Sequence, residues 1–155
     1  MTNAFRTLLI VYHTQSGNTG RLADAVLRGA RTESGVTTVM KRAFDATIDD
    51  LLGCDGLLIG TPENFGALSG GFKDFLDRTY YPAEGKTVGL PYAVFISAGN
   101  DGSGALRQLE RIVIGYGWKR IADPLIVRKE ITDADLAAAE ELGAAMAAGL
   151  ALGIF

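Results

Sequence analysis

The chain has 155 residues, of which 48% are hydrophobic and 21% are charged, and its formal net charge is −3. This length and mixture predict a single domain, over residues 1–155, with its own hydrophobic core. The negative charge argues against a nucleic-acid partner, because a phosphate backbone requires a basic face.

The sequence also bears on location. The apolar run from Leu8 to Tyr12 is too short to cross a bilayer. The first six residues lack the basic and apolar segments of a cleavable leader. The only cysteine, Cys54, cannot form an internal disulfide, which is compatible with a reducing compartment. We therefore expect a cytoplasmic protein with no membrane partner.

Apolar runs alternate along the chain with amphipathic stretches of helical spacing. The runs predict strands at residues 7–12, 36–41, 56–60 and 92–97, and a fifth within 120–127. Helical patterns follow them, beginning near residues 20, 47, 72, 106 and 132, and a polar connection is expected at 80–89. This alternation predicts an α/β fold, a three-layer doubly wound sandwich with a parallel sheet and helices on both faces.

The loop after the first strand has the composition of a phosphate-binding loop. It stands between a strand and a helix, and helix N-termini offer unpaired N–H groups and a partial positive charge. Gly17 allows a tight turn, and hydroxyl and amide side chains add donors. With no lysine inside it, the loop predicts an uncharged, hydrogen-bonded phosphate site. Its candidate residues are Thr14, Gln15, Ser16, Gly17, Asn18 and Thr19.

Two further glycine-rich loops follow the third and fourth strands. We expect both to contact the same ligand, because ligands of open α/β sheets bind beyond the carboxyl ends of the strands. Candidate residues in the first of them are Thr61, Pro62, Glu63, Asn64, Phe65 and Gly66. Those in the second are Ser97, Ala98, Gly99, Asn100 and Asp101.

These loops resemble those of the flavodoxin-like FMN-binding family. The segment from Thr14 to Thr19 matches the flavodoxin phosphate loop in full. Gly60-Thr61-Pro62, Phe65-Gly66, Ser69-Gly70 and the segment from Lys73 to Thr79 are similar to the NAD(P)H:quinone reductases of the Trp-repressor-binding-protein type. The resemblance covers nearly the whole chain. It implies a five-stranded sheet of order 2-1-3-4-5, in which strands one, three and four are neighbours.

The resemblance also implies the cofactor and its placement. FMN would be bound with its phosphate in the first loop and its ring between the second and third. The chain lacks the insertions that help the reductases to tetramerise, and it lacks the acidity of typical electron carriers. The stacking tryptophan of the family is not matched in the third loop, so a stacking role would pass to Phe65, Tyr80 or Tyr81.

Other folds of similar outline fit the sequence less well. A dinucleotide-binding domain would have Gly-x-Gly-x-x-Gly after the first strand, and a P-loop NTPase would have Gly-Lys-Ser/Thr. Neither pattern occurs at residues 13–20. A phospho-acceptor receiver domain needs acids at the ends of strands one and three, where this chain has Tyr12-His13 and Gly60-Thr61.

Two main functions remain open, together with a weaker one. The chain is either an FMN-dependent oxidoreductase that passes electrons from NAD(P)H to quinones, flavin or a similar acceptor, or a one-electron carrier between redox partner proteins. The third is a flavin-binding regulatory or storage module. No metal site is predicted, and no catalytic residue is assigned, because hydride can pass directly between stacked nicotinamide and flavin. Negative charge on Glu63 and Asp101 would lower the flavin potential.

Several other residues carry weaker signals. His13 is expected to be structural, and Cys54 a small buried hydrophobe. Tyr116, Trp118 and the apolar tail 150–155 fit either core packing or the surface of a homodimer.

Overall fold

The computed structural model describes residues 5–155. Residues 1–4, which include most of the N-terminal segment assessed for a leader, lie outside the described part. The strands are β1 (Arg6–Tyr12), β2 (Val36–Arg42), β3 (Gly56–Asn64), β4 (Ala67–Leu68), β5 (Pro91–Ala98), β6 (Lys119–Arg120) and β7 (Leu125–Arg128). The helices are α1 (Asn18–Ala30), α2 (Ile48–Leu52), α3 (Gly70–Ala83), α4 (Ser103–Tyr116) and α5 (Asp133–Leu152).

The sheet has the expected parallel order. Strands β2, β1, β3 and β5 are neighbours in that sequence, and β6 and β7 both pair in parallel with β5 at the far edge. The predicted order 2-1-3-4-5 is therefore confirmed, with β5 as the fourth strand and β6 and β7 as two pieces of the fifth. The fifth strand is divided at residues 121–124, which include Pro124, a residue without a backbone donor.

Alternate side chains of the central strands supply two separate cores. Leu8 and Ile10 of β1 face one core, with α1 and α5 packed over it. Leu9 and Val11 face the other, which is covered by α2, α3 and α4. Strands that are apolar on both faces are typical of a parallel sheet between two helical layers.

Helices α1 and α5 cross with their backbones in contact. A Cβ atom added at Gly29 would lie 1.8 Å from the carbonyl oxygen of Glu140, and one added at Gly143 would lie 1.9 Å from that of Val26. The two glycines therefore allow the close approach of α1 and α5, and with it the position of α1 over the sheet.

The structure corrects two expectations and decides between two alternatives for Tyr116 and Trp118. Residues 61–64 were expected in a loop, but they extend β3 and pair with β4 as an antiparallel hairpin. The polar connection expected from residue 80 begins later, since α3 continues to Ala83. Tyr116 and Trp118 are buried in the core, which removes them from any dimer surface.

Candidate cofactor-binding site

A cleft of about 590 Å³ opens at the carboxyl ends of the parallel strands. This volume lies within the range of small-molecule sites, and the position is the usual one for ligands of open α/β sheets. Four chain segments line the cleft, contributing Ser16, Asn18 and Arg21; Pro62, Glu63 and Asn64; Ser97, Ala98 and Gly99; and Lys129, Glu130 and Ile131.

The first loop ends in an open helix N-terminus. Gly17 precedes α1 with a φ of 103°, and no side chain caps the helix. The backbone N–H groups of Asn18, Thr19 and Gly20 have no hydrogen-bond partner among residues 5–155, whereas Arg21 already donates to the carbonyl of Gly17. Free donors at the positive end of a helix suit an anion.

Not every predicted hydroxyl of this loop faces the cleft. The Thr14 hydroxyl accepts a hydrogen bond from the Gly17 nitrogen at 3.1 Å and so shapes the turn. The buried Thr19 hydroxyl lies 2.7 Å from the Ser97 hydroxyl at the end of β5. Ser16 and Asn18 line the cleft. The hydroxyls of Thr14 and Thr19 therefore stabilise the loop, while Ser16 and Asn18 are the residues that a ligand in the cleft could contact.

The second segment is a rigid hairpin. Phe65 and Gly66 form its two-residue turn with φ angles of 53° and 72°, the pattern of a type I′ turn. The Asn64 amide donates to Gln15 Oε1 at 3.1 Å and so joins this hairpin to the first loop. Phe65 is fully exposed at the tip and lies outside the cleft lining.

The side chain of Glu63 is directed at α4. Its Oε1 accepts from the Gly102 nitrogen at 3.3 Å, and its Oε2 accepts from the nitrogens of Gly104 and Ala105 at 3.0 and 3.1 Å. In return, Gln108 Oε1 of α4 accepts from the Leu68 nitrogen of the hairpin at 2.8 Å. The hairpin and α4 are thus clamped together, and the Glu63 charge is balanced by helix N–H groups.

The third segment divides between the cleft and the outside surface. Ser97, Ala98 and Gly99 line the cleft. Asn100 and Asp101 are exposed and lie outside the lining. Asp101 Oδ1 accepts from the nitrogen and hydroxyl of Ser103 at 3.0 and 2.8 Å, and the backbone hydrogen bond, followed by the hydroxyl, holds the pKa of Asp101 below its usual value.

Four lining residues escape the sequence reasoning: Arg21, Lys129, Glu130 and Ile131. Arg21 falls within the helical pattern of α1, where an exposed arginine is unremarkable. The other three follow β7, the fifth strand, and the rule that placed the other loops beyond strand ends applies to this loop as well. The first loop is uncharged, as expected, but the cleft around it contains two cations, Arg21 and Lys129.

His13 and Cys54 have structural surroundings. The His13 ring lies edge-on to Phe44 with centroids 5.4 Å apart. It also fills the space beside Gly71, where an added Cβ would lie 2.3 Å from its Nδ1. Burial, and then the charge of Arg42, lower the pKa of His13. Burial raises the pKa of the Cys54 thiol to about 12, so this thiol has little thiolate character.

Residues 5–155 contain no group of three or more His, Cys, Asp or Glu side chains placed to hold a metal ion. Within the same residues, every helix is too short or too polar to span a bilayer.

Comparison with known sequences identifies similar proteins. The family model described as NADPH-dependent FMN reductase matches residues 21–126. A protein of Aquifex aeolicus (strain VF5) named flavodoxin is 36% identical over 114 residues, covering 72% of this chain and 62% of that protein. A protein of Acidithiobacillus ferrooxidans named NAD(P)H dehydrogenase (quinone) is 32% identical over 118 residues, with 63% and 59% covered. The chain thus spans about three-fifths of the length of these curated relatives.

Comparison with solved structures establishes the fold. A flavodoxin from the domain Archaea superposes with a TM-score of 0.82 at 22% identity, covering 93% of this chain and 98% of that one. The WrbA-like flavodoxin of Agrobacterium tumefaciens gives a TM-score of 0.77 at 24% identity, with 96% and 98% covered. The chain therefore has the flavodoxin fold.

Proposed function

We propose that this chain, which belongs to the NADPH-dependent FMN reductase family, passes electrons from NAD(P)H through bound FMN to a quinone, a flavin or a similar acceptor. FMN is the cofactor that the family and the related flavodoxin indicate. The relative named NAD(P)H dehydrogenase (quinone) supports a quinone as acceptor.

The observation that carries the proposal is the open N-terminus of α1 inside the cleft. A phosphate ester needs several converging donors, and three backbone N–H groups at residues 18–20 are free to supply them. The hydroxyl of Ser16 and the amide of Asn18 line the same space. This donor set is of the kind that suits the phosphate of FMN.

The remaining lining residues suit the flavin ring. We assign the ring to the space between residues 62–64 and residues 97–99, where backbone groups and the apolar Pro62 and Ala98 face the cleft. When bound, the flavin supplies hydride acceptance and electron release. The protein's part is to hold the phosphate and to keep the hairpin fixed against α4 through Glu63 and Gln108. No side chain of the cleft is assigned a proton-transfer role.

Anaerobic mixing with reduced nicotinamide tests the activity. We expect the purified protein loaded with FMN to lose its flavin absorbance on addition of NADPH or NADH, and to regain it when a quinone is added. Parallel mixing with each dinucleotide reports which one the protein prefers. Flavin that binds but stays oxidised with both dinucleotides would contradict the enzymatic proposal.

The second candidate is a one-electron carrier. It is favoured by the relative named flavodoxin. A carrier would be reduced by a partner protein rather than by a dinucleotide, and its titration with a chemical reductant would show two separate one-electron steps. A single two-electron step would favour the reductase.

Location and assembly are further proposals. We propose a cytoplasmic protein, which is compatible with the single cysteine. A measurement of mass in solution tests for a homodimer. The mixing experiments with different quinones and flavins identify the acceptor, and the reductant titration tests for a carrier that serves a redox partner protein.

A further inference from the structure

Two cations of the cleft have no ion-pair partner. Arg21 and Lys129 both line the cleft, and neither takes part in the salt bridges formed among residues 5–155. Unpaired cations are common on open surfaces, but these two face the same space as the free N–H groups of α1. Their placement in a chain of net charge −3 calls for a physical reason.

Lys129 is held in a backbone conformation that lysine rarely adopts. Its φ is 63°, in the left-handed region, which is unfavourable for a residue with a side chain. The conformation is fixed on both sides. The Lys129 nitrogen donates to the Ala98 carbonyl at 2.7 Å, and Thr132 and Asp135 form a capping box that starts α5. A glycine at this position would relieve the strain. The fold therefore does not require a lysine here, which suggests that the side chain serves a function other than stability.

Arg21 is also placed against a local preference. It lies in the first turn of α1, where the helix carries its partial positive charge and an acidic side chain would be favoured. Two cations that each oppose a local rule at one cleft indicate a function. An anionic ligand at the helix N-terminus would make the position of Arg21 favourable, and its attraction to the Lys129 ammonium would offset the backbone strain at that residue.

The carboxylates of the cleft do not cancel this charge equally. Both oxygens of Glu63 accept hydrogen bonds from the start of α4, so its charge is already balanced. Glu130 lines the cleft beside Lys129 and forms no salt bridge within the described residues. It therefore opposes an anion, and its removal provides a test of sign.

We propose that Arg21 and Lys129 neutralise the phosphate of FMN and so set the preference of this cleft for FMN over riboflavin, which lacks the phosphate. The inference rests on the proposed function, since it takes FMN as the ligand. It adds a second source of affinity to the uncharged loop, one that depends on charge and is therefore screened by salt.

The test measures affinity rather than activity, by quenching of flavin fluorescence for FMN and riboflavin separately. Arg21→Gln and Lys129→Met should each raise the Kd for FMN about five- to tenfold and leave that for riboflavin within about twofold. Glu130→Gln should lower the Kd for FMN. Raising the ionic strength should weaken FMN binding in the unaltered protein and much less in the double variant Arg21→Gln, Lys129→Met.

Matched variants separate charge from folding. Arg28→Gln makes the same charge change in the last turn of α1, outside the cleft lining, and should leave both Kd values unchanged. Lys129→Gly should weaken FMN binding as Lys129→Met does, while its melting temperature stays level or rises because the backbone strain is relieved.

Three outcomes would overturn the inference. Parallel changes for FMN and riboflavin would mean that the cations act on the ring or the ribityl chain. A weaker affinity for FMN in Glu130→Gln would contradict a charge effect. Unchanged FMN affinity in both Arg21→Gln and Lys129→Met would show that the two cations do not act on the phosphate of FMN. Absence of FMN binding by the unaltered protein would instead overturn the proposed function itself.

Discussion

The Oε2 atom of Glu63 lies 3.0 Å from the backbone nitrogen of Gly104, so a carboxylate at the end of β3 caps a helix 40 residues further along the chain. Helices α1 and α4 both begin close to the cleft, and the N-terminus of each carries a partial positive charge. That of α4 is capped by Glu63, whereas that of α1 receives no side-chain cap from residues 5–155. One of these two helix ends therefore remains available to an external anion, which supports the proposed placement of the phosphate at the first loop.

Removal of the Glu63 charge should weaken the attachment of the β3–β4 hairpin to α4. Glu63→Gln replaces a charged acceptor of three N–H groups with an amide, and we expect the free energy of unfolding to fall by about 1–2 kcal/mol. Glu110→Gln is the control. Glu110 lies in α4 and forms an exposed ion pair with Arg120, so its substitution should lower the free energy of unfolding by less than about 1 kcal/mol. Urea denaturation measures both, and equal effects would mean that the cap contributes nothing.

Gly104 is required by the close approach of α4 to the hairpin. A Cβ at this position would lie 1.9 Å from the carbonyl oxygen of Gly66, so Gly104→Ala must push the hairpin away. We expect a loss of about 2–4 kcal/mol in stability, together with weaker FMN binding. Gly70→Ala, at the start of α3 with nothing within 4 Å of the added Cβ, should be neutral or slightly stabilising. Thermal melts and flavin titrations of both variants test the difference.

Local patterns predicted the starts of the central strands and of two helices well. Strands β1, β3 and β5 are apolar runs and β2 is a β-branched stretch, and the starts of all four were predicted to within about one residue. Thr47 and Thr132 were expected as helix caps, and both form capping boxes. These features depend on neighbours within four positions along the chain, which a sequence displays directly.

Contacts between distant segments could not be predicted in the same way. Pro62 and Gly66 read as loop formers, yet pairing with β4 draws residues 61–64 into β3. A polar connection was expected from residue 80, but Tyr80 packs against Tyr116 with ring centroids 5.2 Å apart, and α3 continues to Ala83. The Glu63 cap and the left-handed Lys129 likewise depend on tertiary partners rather than on local propensity.

The single histidine gives the stability a predictable pH dependence. Burial and Arg42 lower the pKa of His13 from 6.5, so the unfolded chain binds a proton more readily than the folded one. Stability from this group is complete above about pH 6.5 and is lost as the pH falls toward the folded pKa. His13→Asn should therefore flatten the change in melting temperature between about pH 7.5 and pH 5.5.

Proton NMR of the His13 ring measures the cause directly. Because the chain has no other histidine, its titration curve is unambiguous. Arg42→Gln should raise the pKa of His13 part of the way to its ordinary value, with burial accounting for the remainder. A His13 pKa at or above that ordinary value in the unaltered protein would contradict the prediction.

The phosphate loop depends on the backbone of Gly17 rather than on space around it. Its φ is 103°, and an added Cβ would meet nothing within 4 Å, so Gly17→Ala acts only by disfavouring this conformation. We expect a loss of about 1–2 kcal/mol in stability and roughly tenfold weaker FMN binding. Gly17→Asn should be milder, since asparagine tolerates positive φ. Gly85→Ala is the control, because Gly85 has a φ of 74°, equally open space and a position outside the cleft lining. It should lower stability similarly while leaving the FMN Kd unchanged, and a similar loss of FMN affinity in this control would show that strain anywhere in the fold, rather than the shape of the loop, controls binding.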